Sequence, residues 1–381
     1  MCRTLRIVAH ARQYKVSATS GEDGAKRESQ IGKCHQINAI QRTTIWFLPL
    51  VSYRPSFDDI ASRGAIRTGD APVPIYLNEQ HAAEFVDMPS AVAAVRAAFV
   101  AQARGEAVNI PRTRLEFGER RLNLMAGGGR APDRYALKSY GSAAYHILLY
   151  SAQQGLLAIM EANLLGQIRT GAASAIATQV MARPNAGKVG LIGAGRQART
   201  QILALHAVGC VTEVAVFARD RAKQTTFCER LAPELALPVR AAGSAAEAVS
   251  DADIVVTATN SSIPVVMSEW LASGTHVNAM GANAPSRREL DPQIVLRAAA
   301  VVTDDITQAR TEAAEFIDLA RTGELDWNDL IPLHRIVGAP GFHRDPDAIT
   351  LFKSLGVGLE DLAIASLLYD RAAASGRFKP L

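Results

Sequence analysis

The run Val189-Gly190-Leu191-Ile192-Gly193-Ala194-Gly195-Arg196-Gln197-Ala198 joins an apolar strand to a helix start through a tight turn. In such a turn Gly193 permits the reversal and Gly195 lets the backbone approach a diphosphate. Ala198 keeps the helix close to the strand. The unpaired N–H groups around Ala194, Arg196 and Gln197, together with the helix dipole, then face the anion. A bare glycine pattern also fits an ordinary strand–helix turn. Here the preceding strand, the following helix and the later strands agree on a nicotinamide dinucleotide site. The second strand ends at Phe217-Ala218-Arg219-Asp220. A site for NAD usually places a carboxylate about 20 residues past the glycines, to hold the ribose 2′-hydroxyl. Ala218 stands there instead, followed by Arg219, which favours the 2′-phosphate of NADP while leaving NAD possible. The alternatives are an Arg219 that stacks on adenine or sits in solvent, and an Asp220 that rotates in.

Other residues offer less chemistry. His81, His146, His206, His276, His334 and His343 lie at no metal-ligand spacing, and no metal is expected. His276, inside a parallel strand, reads as a satisfied core histidine. The four cysteines, Cys2, Cys34, Cys210 and Cys228, form no ligand or disulfide pattern, which predicts a reduced, cytoplasmic setting. Of 381 residues, 48% are hydrophobic and 20% charged, enough apolar mass for two cores. The net charge of +4 is concentrated in residues 1–70, which carry eleven Lys/Arg against six Asp/Glu. The remainder is near neutral and gives no reason to expect nucleic acid or an acidic membrane surface. No apolar run reaches transmembrane length, and Thr44–Ser52 lies too far in for a signal peptide.

Two styles of chain must position these groups. Residues 1–71 have no sustained period and read as a disordered extension. Order begins at Pro74–Leu77, followed by helices opening at Asn78 and at Pro89-Ser90. Strands are expected at Arg112–Glu116, Arg121–Met125, Tyr135–Tyr140, His146–Tyr150 and Leu156–Met160. Met125 and Gly127–Gly129 are expected to form a cleft floor and a mobile loop. An Ala-rich helix spans Asn163–Ala182. From Lys188 the pattern alternates: buried strands Val189–Ile192, Glu213–Phe217, Ile254–Thr257, His276–Ala279 and Ala300–Thr303 are separated by helices, including one at Met267–Leu271. That is a doubly wound parallel sheet, an α/β fold. Helices return from Glu312 and end with Ser354–Ala374.

Taken together, several blocks resemble the ornithine cyclodeaminase/mu-crystallin family over roughly residues 74–375. They are Asn109–Thr113, Ala136–Ser139, Gln167–Thr178, the glycine loop, Asp253–Thr259, Gly274–Gly281 and Leu351–Gly356. The resemblance implies a homodimer of two-domain subunits. Residues 72–185 and 319–381 would form an α+β substrate-binding and dimerisation domain, completed by the C-terminal helix, and residues 186–318 the dinucleotide domain. It implies that Arg112, Lys138 and Arg169 grip an amino or imino acid between the domains. The chemistry suits them: a carboxylate favours a bidentate guanidinium, and a buried lysine can donate a proton to nitrogen. Arg169 lies among apolar residues and needs an anion, either a carboxylate such as Glu161 or a ligand. Thr257, Thr259 and Gly281, at the ends of later strands, are expected at the cofactor. Lys353 would either reach its phosphates or cap a helix.

One position departs from the cyclodeaminase pattern Gly-x-Asp-x-Pro-Gly-Lys. The loop here is Gly281-Ala282-Asn283-Ala284-Pro285-Ser286-Arg287. Asn283 cannot accept a proton but can hydrogen-bond. The expected activity is therefore NAD(P)H-dependent reduction of a 2-imino acid, a cyclic ketimine, or a 2-oxo acid plus amine. Lys138 and Asn283 would act at the reacting nitrogen. Cyclisation of ornithine with recycled NAD is one alternative, and a crystallin-like protein that binds NADP and a small ligand without turnover is another.

Overall fold

The structure is a computed structural model that describes residues 73–339 and 341–378. The expectation for residues 1–71 lies outside the described residues.

Strand β1 (Ile75–Leu77) leads into α1 (Glu79–Phe85), whose start is fixed by Asn78. The Asn78 side chain accepts from the His81 N–H at 3.1 Å, and His81 Nδ1 accepts from the Asn78 N–H. Asp87 caps α2 (Met88–Ala103), with Pro89 in its first turn. Five strands follow: β2 (Ala107–Phe117), β3 (Arg120–Arg130), β4 (Asp133–Tyr140), β5 (Tyr145–Ser151) and β6 (Gly155–Glu161). The sheet order is β1-β6-β5-β4-β3-β2, antiparallel except where β1 joins β6. The expected mobile loop at Gly127–Gly129 is instead the second half of β3. A Cβ on Gly127 would stand 2.7 Å from the backbone of Leu359, so the glycine serves a close approach of strand to helix.

The long helix α3 (Asn163–Met181) has no cap of its own. Glu79 supplies one from a distance, its carboxylate accepting from the N–H groups of Asn163 and Leu164 at 2.7 and 2.8 Å. Small residues let α3 lie close to its neighbours. A Cβ on Gly171 would meet the Thr200 carbonyl at 2.5 Å.

The second sheet contains β7 (Lys188–Ile192), β8 (Glu213–Phe217), β9 (Val239–Ala241), β10 (Ile254–Thr257) and β11 (His276–Ala279). It is completed by β12 (Ala300–Thr303), β13 (Ile331–Pro332) and β14 (Thr350–Lys353). All pairs are parallel, in the order β13-β12-β14-β11-β10-β7-β8-β9. Helices α4 (Arg196–Ala207) and α5 (Arg221–Leu235) follow β7 and β8. This is the α/β, doubly wound arrangement that the buried strand runs predict.

Three boundaries are corrected. The division after residue 318 comes too early, because β14 is inserted between β11 and β12, with Leu351 opposite both Val277 and Val301. Thr350-Leu351-Phe352-Lys353 is too short to show a period that distinguishes strand from helix, which is why it escaped. The last helix, α6 (Gly358–Ala374), packs back onto the first sheet. It starts at Gly358 rather than Ser354, leaving residues 354–357 as a loop. The helix expected at Met267–Leu271 is a single turn, Ser268–Trp270.

Candidate active site

The glycine loop has the form its sequence demands. Gly193 adopts φ +115° and donates its N–H to the Phe217 carbonyl at 2.9 Å. A Cβ there would collide with the Ala258 carbonyl at 2.5 Å. Beside Gly195, a Cβ would meet no atom within 4 Å, so the backbone is open to an approaching group. Gly195 begins α4 without a side-chain cap, and Ala198 is fully buried against the sheet. An open, uncapped helix start against a glycine turn fits a dinucleotide diphosphate. Of the run after β8, Asp220 is committed as the cap of α5, accepting from the Lys223 N–H at 3.1 Å. Arg221 donates to the carbonyls of Ala242 and Gly243, each at 2.7 Å. Arg219 is exposed and has no hydrogen bond or ion pair among the described residues.

A cleft of about 190 Å³ opens where β10, β11 and β14 end. It brings together Arg169, Gln197, Thr259, Gly281 and Asn283 with the loop Ser354–Gly356. Lys138 and Arg112 lie behind this lining. Lys138 is 3% exposed, and its Nζ donates to Asp361 at 2.8 Å. Gly166 makes room for it, since a Cβ there would be 2.9 Å from Nζ. Arg169 donates through Nη1 to Glu360 at 2.8 Å, and its Nε lies 3.3 Å from Asp361. Arg112 pairs with Glu312 and donates through Nη2 to the carbonyls of Leu355 and Gly356 at 2.8 and 3.0 Å. Gly356 has φ +76°, and a Cβ there would fall 2.1 Å from Arg169 Nη1. The three cations and the 354–356 loop therefore form one packed unit.

The electrostatics follow from burial. Burial pulls Lys138 below the usual lysine range, and Asp361 only partly opposes it. Burial also works against the charge on Arg169, but Asp361 and Glu360 more than offset it and raise its pKa. Glu360 is pushed up to about 8 by burial, with Arg169 pulling the other way. Beneath the loop, Asp304 accepts from the N–H groups of Leu355 and Gly356 at 2.7 and 2.6 Å, and burial raises it to about 6.

A second buried carboxylate ties the cleft walls together. Glu289 accepts from the Thr259 N–H and hydroxyl at 2.7 and 2.8 Å, and from the N–H groups of Gly281 and Ala282 at 2.7 and 3.0 Å. Its own N–H donates to Glu315 at 2.9 Å. Glu315 in turn holds Lys353, 3.3 Å away.

Three expectations are overturned here. Lys353 is fully buried in β14 and committed to Glu315, so it neither reaches a phosphate nor caps a helix. Arg169 does not use Glu161, which accepts instead from the Tyr76 hydroxyl and the Glu79 N–H. Thr257 is fully buried at the end of β10, behind the cleft rather than on it, with its hydroxyl unpartnered. His276 is a core residue, its Nδ1 2.9 Å from the Thr350 hydroxyl, and burial lowers it to about 3. Sequence reasoning missed Glu312, Glu360, Asp361, Asp304, Glu289 and Arg114. The one available signal was Glu360-Asp361 at the start of a mostly apolar helix, which reads equally as acids placed at a helix N-terminus. Among the described residues no group of His, Cys, Asp or Glu could hold a metal, and no helix is long and apolar enough to cross a membrane.

A model of the ornithine cyclodeaminase/mu-crystallin family matches residues 77–376. The chain is 32% identical over 313 residues to an alanine dehydrogenase of Archaeoglobus fulgidus, spanning 78% of this chain and 95% of the relative. Among solved structures it is similar to the Δ1-pyrroline-2-carboxylate reductase of Thermococcus litoralis in complex with NADH and L-proline. That likeness has a TM-score of 0.77 at 28% identity and covers 81% of this chain and 100% of the other. An archaeal alanine dehydrogenase dimer with bound NAD gives a TM-score of 0.75 at 29% identity, covering 81% and 98%.

Proposed function

The chain belongs to the ornithine cyclodeaminase/mu-crystallin family, and from that premise we propose that it is an NADPH-dependent reductase of 2-imino acids or cyclic ketimines. The observation that carries this reading is the cation unit of Arg112, Lys138 and Arg169 at the back of the cleft, with the open glycine turn nearby. Relatives named as an alanine dehydrogenase and a pyrroline-2-carboxylate reductase support the reaction class.

In this reading Gly193, Ala194, Gly195, Arg196, Gln197 and Ala198 form the turn that holds the diphosphate. Thr259 and Gly281 line the nicotinamide side, and Arg219 meets a 2′-phosphate. When bound, a reduced nicotinamide would supply the hydride that the C=N carbon needs. Arg112 and Arg169 bind the substrate carboxylate and turn the imine toward that hydride. Lys138 delivers a proton to the imine nitrogen, and Asp361 keeps the ammonium oriented. Asn283 hydrogen-bonds the same nitrogen. One hydride and one proton convert C=N to CH–NH, leaving an amino acid and the oxidised cofactor. Asn283 in place of an aspartate counts against an ornithine cyclodeamination, in which a carboxylate would serve the amino group.

The protein acts as a homodimer in this proposal, in keeping with the relative solved as a dimer. A reducing cytoplasmic setting is part of the proposal, in keeping with Cys210 and Cys228 forming no disulfide among the described residues. The test is NADPH and NADH oxidation by the purified protein with pyrroline-2-carboxylate, piperideine-2-carboxylate and 2-oxo acids plus ammonia. Substrate-dependent oxidation, faster with NADPH, is expected. No turnover across the panel with either cofactor, or ammonia release from ornithine without net change in cofactor, would sink the proposal.

A further inference from the structure

The cleft face of the six-stranded sheet continues beyond the cations into a row of side chains that imine reduction does not require. Strand side chains alternate, so Met125, Asn123 and Arg121 of β3 share one face, as do Lys138 and Tyr140 of β4. Register places Met125 opposite Lys138, and Asn123 opposite both Tyr140 and Arg114. Arg114, Asn123 and Tyr140 thus form a second row, one two-residue step or about 6.7 Å outward from Lys138. Asn123 and Tyr140 of this row line an outer chamber of about 910 Å³, with Arg120, Arg121, His146 and Arg287 also on its wall. Arg287 lines both this chamber and the inner cleft.

The row is short of negative charge. Glu312 alone serves both Arg112 and Arg114, the latter at 2.6 Å. Arg114 also reaches across the cleft to the Asn283 carbonyl at 2.9 Å. The Arg287 side chain has no hydrogen bond or ion pair among the described residues. Arg121 is paired with Glu116 at 2.7 Å, and Glu119 is the one carboxylate on the chamber wall. A hydrocarbon side chain entering here would strip water from guanidinium groups and return nothing. A carboxylate would be met by paired N–H donors.

We propose that the substrate is a 2-imino dicarboxylic acid, whose second carboxylate is received by Arg114 and Arg287 with Asn123 and Tyr140 beside it. The inference rests on the imine-reductase reading and names the side-chain class that the reading leaves open. One row holds the carboxylate next to the imine, and the next holds the other carboxylate of a short-chain diacid.

The experiment compares NADPH oxidation with 2-oxosuccinate or 2-oxoglutarate plus ammonia against pyruvate plus ammonia and pyrroline-2-carboxylate. The dicarboxylates are expected to have a kcat/KM at least about tenfold higher, the worth of one charge-assisted contact. Arg287→Gln, at an exposed position, and Arg114→Gln should each lower that ratio about tenfold, mainly through KM. Equal or better turnover of the monocarboxylates overturns the inference and leaves the reductase reading standing. So does a ratio unmoved in the Arg287→Gln protein. Turnover of none of the four acids overturns both.

Discussion

At Lys138 the chain buries an ammonium, and that cost is what gives the residue its proposed chemistry. Burial lowers its pKa, while Asp361 limits the fall. The donating form is the protonated one, so kcat/KM for imine reduction is expected to decline as pH rises through this lowered pKa. The decline should come below the ordinary lysine value of about 10.4. Lys138→Met should remove this limb and cost about 10²- to 10⁴-fold in kcat, the usual worth of a positioned acid. NADPH binding, read by fluorescence quenching, should change by less than about twofold. A normal rate in this variant would place the proton donor elsewhere. Arg219 carries a second prediction at this scale. Its neighbours Asp220 and Arg221 are committed to the helix cap and to backbone carbonyls, so of these three Arg219 is the one left for a 2′-phosphate. Arg219→Ala should raise KM for NADPH about 10- to 100-fold and leave that for NADH nearly unchanged. Equal loss with both cofactors would mean that it stacks on adenine instead.

Between elements, the decisive parts are loops held by buried carboxylates. Glu289 receives four hydrogen bonds from the loops after β10 and β11, and a Cβ on Gly281 would lie 2.2 Å from the Thr259 carbonyl. The two loops are thus pinned edge to edge at the proposed nicotinamide side. Glu289→Gln replaces one acceptor oxygen with an amide that points N–H at N–H. A buried donor left unpaired costs about 1–3 kcal/mol. The variant is expected to melt several degrees lower by calorimetry and to lose about tenfold or more in kcat, with KM for the imino acid little changed. Wild-type kcat together with a lowered melting point would show the carboxylate to be purely structural. Asp304 plays the matching part under the 354–356 loop, whose carbonyls are gripped from above by Arg112.

On the scale of the molecule, the described residues cover the six-stranded sheet on one face only. α6 packs on the side of Ala136 and Lys138, while Val108, Ile110, Leu115, Phe117 and Tyr135 are exposed, Phe117 at 86%. An apolar sheet face of this kind is costly in water, and a second copy is the occupant that the dimeric relative suggests. Phe117→Asp with Leu115→Asp should convert a dimer to a monomer in light scattering. A wild-type protein that is already monomeric would overturn the dimer proposal.

Much of this was legible in the chain, for a physical reason. The glycine turn, the strand runs and the long Ala-rich helix are contiguous, and their chemistry is set by neighbours a few residues away. The cations were legible only through resemblance, and their partners not at all. The partners in Arg112–Glu312, Lys138–Asp361 and Arg169–Glu360 lie 200, 223 and 191 positions apart in the chain. β14 escaped because four residues, Thr350-Leu351-Phe352-Lys353, are too few to show a period, and Lys353 because a lysine looks free until its carboxylate is found. The sequence by itself determined a dinucleotide turn on a parallel sheet and the cations that an anionic substrate would need. Only the tertiary structure decided which carboxylates restrain those cations, which loops are locked, and which guanidiniums remain available. Those choices depend on burial and on groups brought together from distant parts of the chain, and neither is a property of local sequence.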